Sequence, residues 1–399
     1  MTDGSASPTL IPTLPGRFYT DPGIFAAEQV AIFESLWCCT LRSADLAGPG
    51  QSRTVPVERE SVLVVRGSDG ELRAFLNQCR HRGTRLCTED RGTVRRNFRC
   101  PYHSWTYGLD GRLVAAPNLP REPGPGSVDR AAYGLRAVAL REWLGYVWLC
   151  VAGEPPPFGS VTAQVDERPG SRAAIERYGM DELVAGRRIR YDVAANWKLL
   201  VENFMECYHC PSIHPELVAV LPEFAHGYAA QYFVGHGAEF APGARGFTVD
   251  GSAGFGRLAR VTEEQDRRYY AITVRPQMFI NLVPDHVIAH RMFPVAAGRT
   301  IVECDWLFDP GVVAAGHDLS RSVELFDRVN KQDFAACERC QPSMSSRGYA
   351  GGGVLVPSEH HTSPPSTTGC APGWRRRPRI RGRAEPGGRP GSRVRPRCR

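Results

Sequence analysis

Lysine is nearly missing from this chain. The 399 residues hold two, Lys198 and Lys331, against 47 arginines. Long apolar runs are missing too: no window approaches eighteen residues, so no membrane-spanning helix and no membrane partner is expected. Residues 1–15 have neither a basic n-region nor an apolar h-region, so a secretory signal is not expected and a cytoplasmic location is. Without a signal, thirteen cysteines are expected to be thiols or metal ligands, not a disulfide framework. Nucleotide-binding loops are absent as well. The glycine-rich stretches at 251–256 and 348–353 do not read G-x-G-x-x-G after a strand, and there is no P-loop. The chain is therefore not expected to take hydride from NAD(P)H itself. Positive charge is short in the body. Residues 362–399 carry eleven arginines and one acid, Glu385, whereas the other 361 residues carry 38 basic and 41 acidic side chains. A nearly neutral body offers no basic face for nucleic acid.

That basic tail, 362–399, is rich in Arg, Pro and Gly and has no apolar periodicity. It reads as low-complexity sequence or as a shifted reading frame in a GC-rich gene, and no function is assigned to it. Ahead of it, Asp21 is a plausible cap for a helix over 22–37. Short strands and turns fill 53–151, with hairpins at 61–66/72–76 and 105–107/113–115 and a buried strand at 146–151. The Pro- and Gly-rich stretch 153–170 reads as a linker. Beyond it come a strand at 187–193 and a helix from about Trp197. Strands are expected at 269–274, 279–283, 287–293 and 300–308, and a long helix at about 319–340. The fold class is α+β, with a small all-β unit followed by an antiparallel sheet with long helices.

Four ligand-type residues stand in two loops of the β unit: Cys79-Arg-His81 and, eighteen residues on, Cys100-Pro-Tyr-His103. Two thiolates on one iron and two imidazoles on the other make a Rieske [2Fe–2S] centre. Cys2His2 also suits zinc, but finger order is Cys-Cys-His-His and here it is Cys-His-Cys-His. Pro101 and Gly83 suit tight turns, and Trp105 and Tyr102 could shield a cluster.

A second group lies in 196–214. His209 and His214 are five apart, about 500° of helical rotation and roughly 140° off one face. Pro211 is expected to end the helix near Cys210 and let His214 turn back beside His209. Two His and one carboxylate form the facial triad of non-haem iron oxygenases. Asp327, Asp333 and Glu338 are all candidates for the carboxylate, and spacing does not choose among them. Glu206, three residues before His209, is placed to hold a ring N–H of that ligand. Glu202 and Asn203, one turn earlier, could also face the metal. The pairs Cys207/Cys210 and Cys337/Cys340 could hold zinc but read better as small core residues.

These motifs resemble the oxygenase (α) subunit of Rieske non-haem iron oxygenases, the aromatic-ring-hydroxylating dioxygenase family, over about residues 14–361. The resemblance implies that Cys79, His81, Cys100 and His103 bind the [2Fe–2S] cluster and that His209, His214 and Asp333 bind mononuclear Fe(II). It implies that Glu206 bridges to a Rieske histidine of a neighbouring subunit; Asn203, from its place one turn before, is kept beside Glu206 as a candidate catalytic residue. The family usually has Asp at that bridge. The implied architecture is an N-terminal helical segment (1–40) on the catalytic domain, a Rieske domain (41–155) and a helix-grip catalytic domain with an antiparallel sheet (171–361), in a ring of three subunits. The implied partners are O2, a small-molecule substrate and a flavin/iron–sulfur reductase drawing on NAD(P)H. The stretches 14–19 and 206–216 most resemble oxygenases of quaternary amines, of the glycine betaine demethylase type. Hydroxylation of an N-methyl group with release of formaldehyde is therefore expected. Ring hydroxylation of an aromatic acid, or a Rieske electron carrier without oxygenase activity, are the alternatives. Phe204, Tyr208, Tyr232, Phe233, Phe279 and Trp306 could cage a quaternary ammonium.

Overall fold

The computed structural model describes residues 10–57, 59–119, 129–166, 171–226 and 237–359; the 362–399 tail and Tyr232 and Phe233 lie outside them. Three large sheets, beside a two-stranded pairing of Ile11–Pro12 with Val354–Leu355, organise the described residues. Cys38–Arg42 (β1), Gln51–Val57 (β2), Glu60–Arg66 (β3), Leu72–Leu76 (β4) and Arg91–Thr93 (β5) join two later strands. These are Ala137–Trp143 and Tyr146–Cys150, and the sheet of seven runs β1, 146–150, 137–143, β4, β3, β2, β5. Strand β1 straddles the domain boundary expected at residue 40. A three-stranded sheet, Asn97–Arg99, Thr106–Gly108 and Leu113–Ala115, stands beside the seven. Val62, Leu63, Val64 and Val65 are all buried, as expected of a β-branched strand packed on both faces.

The catalytic sheet has six antiparallel strands. Its order is Val184–Val193, Arg299–Phe308, His286–Ala296, Met278–Val283, Arg268–Val274 and Ala238–Glu239. Side chains alternate across it. On strand 299–308, Cys304, Trp306 and Phe308 join the apolar cluster with Val323, Phe326 and Val329 of the long helix Ser320–Ser343. Glu303 and Asp305, at the alternate positions, turn the other way, toward Arg291.

Two local expectations fail. Asp21 does cap a helix, accepting from the Gly23 and Ile24 amides. That helix stops at Glu28, however, and continues as a π turn, Gln29–Phe33. Within the expected linker, Gly159–Asp166 is helical because Val161 and Val165, four apart, both reach the core. Among the described residues no helix is long and apolar enough to cross a membrane.

The two sheets are tied through one buried carboxylate. Asp305 accepts from Tyr146 Oη at 2.9 Å, Arg291 Nη2 at 3.1 Å and the Arg188 guanidinium. Tyr146 lies on the cluster domain's sheet. Arg291 also donates to the Thr40 carbonyl of β1, and Arg188 pairs with Asp45 at 3.1 Å. Burial pushes the Asp305 carboxyl up, but Arg291, Arg188 and the Tyr146 hydroxyl outweigh it and hold it below the usual carboxylate range. Replacing Asp305 by Ala strips the buried Arg291 and the half-buried Arg188 guanidinium of a shared partner and should cost about 3–5 kcal/mol, read as a lower urea midpoint. A carboxyl held low stabilises above its unfolded pKa and stops doing so as pH falls through its folded one. The gap between wild type and variant should therefore narrow in acid.

Candidate metal centres

The first centre is built by the two loops that flank the three-stranded sheet. Gly83, at φ 74°, and Ser104, at φ 58°, turn the loops tightly. Cys79 and Cys100 are buried. The Tyr107 hydroxyl lies 3.3 Å from Cys79 Sγ and accepts from the Arg80 amide at 3.0 Å. Burial raises the Cys100 thiol, but the Tyr102 and His103 amides and the Cys79 and Thr84 side chains outweigh it and bring it below the ordinary thiol value. That favours the thiolate a metal needs. The His81 and His103 rings face each other at 4.6 Å, and Trp105 stacks on His81 at 5.1 Å. His103 Nδ1 is buried with no hydrogen-bond partner. A buried ring nitrogen left unpaired, beside a second imidazole and two thiols, fits a Cys2His2 iron–sulfur cluster. Tyr102 lies against His103 at 3.7 Å but is largely exposed, so it shields the cluster less than Trp105 does.

At the second centre the backbone differs from the sequence reading. Asn196 caps helix Trp197–Phe204 through its side chain, and the helix ends at Phe204, before Glu206. Pro211 does not end a helix. It sits in the first turn of Cys210–Ile213, where its missing N–H costs nothing. A second short helix, Pro215–Val220, follows directly. Glu206 and His209 therefore meet across a turn and not along a helical face.

The side chains converge. Asp333 Oδ1, on the long helix, lies 3.2 Å from His209 Nε2 and 2.8 Å from His214 Nε2. Glu206 Oε1 holds His209 Nδ1, Gln332 Oε1 holds His214 Nδ1 at 2.8 Å, and Asn203 Nδ2 lies 3.5 Å from His209 Nε2. The other carboxylate candidates point elsewhere: Asp327 accepts from Tyr191 Oη and Lys331 Nζ, and Glu338 from the Ala194 amide. Two imidazoles anchored at their outer nitrogens, with inner nitrogens on one carboxylate, fit a divalent iron. Gln332 escaped the sequence reading; its place next to Asp333 was the available signal.

Burial opposes charge on His209, but hydrogen bonds to Asp333, Cys210 and Glu206 outweigh it and push the ring up to about 12. Asp333 is held at about 2, since the two histidines outweigh its burial. Cys210 Sγ stands 3.9 Å from His209 Nε2, and His209, Cys210 and His214 offer donor atoms within 4.8 Å of one another. Burial and the neighbouring Cys207 push the Cys210 thiol up, so as a neutral thiol it is a poorer ligand than Asp333. Cys337 packs in a different apolar cluster from Cys207 and Cys210, and Cys340 is exposed; the four do not gather as a zinc site.

Glu202 does not face the metal group. It is half-buried and bonded by Tyr19 Oη at 2.8 and 3.1 Å. Beside it, Lys198 is clamped by both oxygens of Glu28 at 2.8 Å. Of the possible cage residues, Phe204 stacks on Phe279 at 3.9 Å, Trp306 is buried with an unpartnered indole N–H, and Tyr208 is exposed.

Known proteins share this plan. A family described as "Ring hydroxylating alpha subunit (catalytic domain)" matches residues 180–363, and "Rieske [2Fe-2S] domain" matches 36–135. The glycine betaine monooxygenase oxygenase subunit of Pseudomonas aeruginosa is 31% identical over 371 residues, covering 85% of this chain and 84% of that one. The carnitine monooxygenase oxygenase subunit of Escherichia coli is 30% identical over 360 residues, covering 88% and 89%. The quaternary ammonium Rieske monooxygenase CntA, solved with L-carnitine, superposes with a TM-score of 0.65 at 26% identity, covering 88% of this chain and 90% of that one.

Two outcomes follow. With Asp333 and Glu206 pushing His209 toward its protonated form, a divalent metal binding at the second centre is expected to displace a proton from that ring. Apparent affinity should rise about tenfold per pH unit near neutrality, with one proton released per iron in a calorimetric titration. Burial pushes Glu202 up to about 7, over the opposing pull of Tyr19 and Lys198. The folded chain then binds this proton more tightly than the unfolded chain. The associated stability is complete below about 4.5 and is lost as pH rises through about 7. Glu202→Gln should remove on the order of 3 kcal/mol of that decline, seen by comparing melting at pH 5 and pH 8.

Proposed function

This chain belongs to the Rieske-type ring-hydroxylating oxygenase α-subunit family, and on that premise we propose that it N-demethylates a small quaternary amine, glycine betaine first among candidates. It is an oxygenase subunit of a multicomponent system that needs a reductase. The observation that carries the oxygenase reading is the single oxygen, Asp333 Oδ1, within 3.2 Å of both imidazoles. An electron carrier has no use for such a site. Support for the amine comes from the relatives, glycine betaine and carnitine monooxygenases.

Cys79, His81, Cys100 and His103 would hold the [2Fe–2S] cluster, and His209, His214 and Asp333 the mononuclear iron. When bound, the two groups supply one-electron transfer and activation of O2. The chain's own residues orient and exclude. Glu206 and Gln332 fix the two imidazoles by their outer nitrogens. Burial of His214, Cys210 and Cys207 keeps bulk water from that side. The stacked pair Phe204 and Phe279 would offer aromatic contact to a cation that has no N–H to donate. A hydroxylated N-methyl carbon then breaks its C–N bond, giving a tertiary amine, formaldehyde and a proton.

We place the subunits in a closed ring of three, with His103 of one subunit facing Glu206 of the partner subunit, so that every such interface is satisfied. Glu206→Gln should retain cluster absorbance and iron, yet slow turnover about 10–100-fold. The deciding experiment is a single turnover. Protein is reduced chemically, the reductant removed, and glycine betaine and O2 added. Formaldehyde in proportion to iron is expected. Cluster reoxidation without formaldehyde from glycine betaine or carnitine would overturn the amine reading and turn attention to aromatic acids.

A further inference from the structure

We infer that the connector between the two cluster loops, residues 82–99, is a docking face for an acidic electron-donor protein. The inference rests on the cluster assignment above. Leu86, Cys87, Val94 and Phe98 of the connector pack into the apolar group that contains Cys79 and Cys100. The connector is thereby wrapped over the loops that carry the cluster ligands. Its outward side carries Arg82, Arg85, Arg91, Arg95, Arg96 and Arg99, all exposed. Against six guanidiniums the connector has two acids, Glu89 and Asp90.

These arginines are set apart by their clustering, since other exposed arginines without an ion pair, such as Arg136, Arg257 and Arg347, stand singly along the chain. Elsewhere Arg73, Arg112, Arg299, Arg321 and Arg328 each pair with a carboxylate. Among the described residues the six make no ion pair, and Arg99 bonds only the Ser104 hydroxyl, at 2.9 Å. Arg82 is close enough to act on the His103 ring. A body that is nearly neutral in total thus carries a local basic patch around its redox group, which the whole-chain charge conceals.

The chemistry selects the partner. The sequence carries neither a G-x-G-x-x-G fingerprint nor a P-loop, so each electron is expected from another protein, at this cluster. Electron-transfer encounters are small and short-lived, commonly below about 1,200 Å2. They depend on charge more than on area, and unpaired charges of one sign raise encounter rates by 10–1,000-fold, falling with salt. A positive rim calls for a negatively charged donor.

Stopped-flow reduction of the intact oligomer tests this. The donor is a chemically reduced, acidic plant-type ferredoxin. Its potential lies below the Rieske range, so transfer is downhill. The control donor is the methyl viologen radical cation. Wild type is compared with the quadruple variant Arg82→Glu, Arg85→Glu, Arg95→Glu, Arg96→Glu at equal cluster content. In wild type the ferredoxin rate should fall at least tenfold between about 20 and about 200 mM salt. The variant should lose at least tenfold at low salt and lose the salt dependence, while viologen reduction is unchanged or faster. Viologen reports the cluster itself, so a failed docking face and a failed cluster assignment give different results. Should the Glu quartet fail to fold, the matching Gln quartet should show an intermediate loss. Equal ferredoxin rates in variant and wild type overturn the inference. So does a variant that falls apart into single chains while its ferredoxin rate persists, which would assign the face to a neighbouring copy.

Discussion

Asp305 is the point on which the two halves of this molecule turn. Its carboxylate takes a phenol from the cluster domain and two guanidiniums from the catalytic sheet. Such a group is tolerable inside a protein only when its charge is matched and its lone pairs are filled. The arrangement is therefore specific: a small rotation of one sheet against the other would leave a charge uncompensated. The same strand serves the catalytic side. Cys304, Trp306 and Phe308 pack under the long helix that carries Gln332 and Asp333, while Asp305 reaches the other way. Alternation along one strand links the position of the cluster domain to that of the proposed iron ligands.

Much of this could be read from the sequence, for physical reasons that differ by region. The strands at 72–76 and 113–115 are found where the apolar pattern and flanking turns place them. The four proposed cluster residues could be singled out because metal chemistry dictates residue type and spacing together. Family resemblance picked out Asp333; spacing left three acids open, and only the fold separates it from Asp327 and Glu338. Pro211 was misread because proline both stops a helix and starts one, and the local sequence does not say which. The helix at 159–166 was hidden by the prolines before it. The Asp305 network was invisible, since its members are scattered from Thr40 to Asp305 and nothing local marks a buried arginine.

The N-terminal segment has a place in the same logic. Tyr19 bonds Glu202, Glu28 holds Lys198, and Phe33 packs edge-on against Trp197. All three partners belong to the helix that ends at Phe204, and Asn203 on that helix reaches His209. The segment thus braces the helix from outside the site. A carboxylate and an ammonium enclosed together are costly to separate, because each would be left desolvated and alone.

That enclosed ammonium has a practical side. Of the chain's two lysines, Lys198 is sealed in and Lys331 stands on the open face of the long helix, two residues before Asp333. Apart from the terminal amine, an amine-directed dye, cross-linker or surface coupling should find one side chain per subunit. The protein therefore offers a natural single attachment point, close in sequence to the metal site, with no need to engineer one.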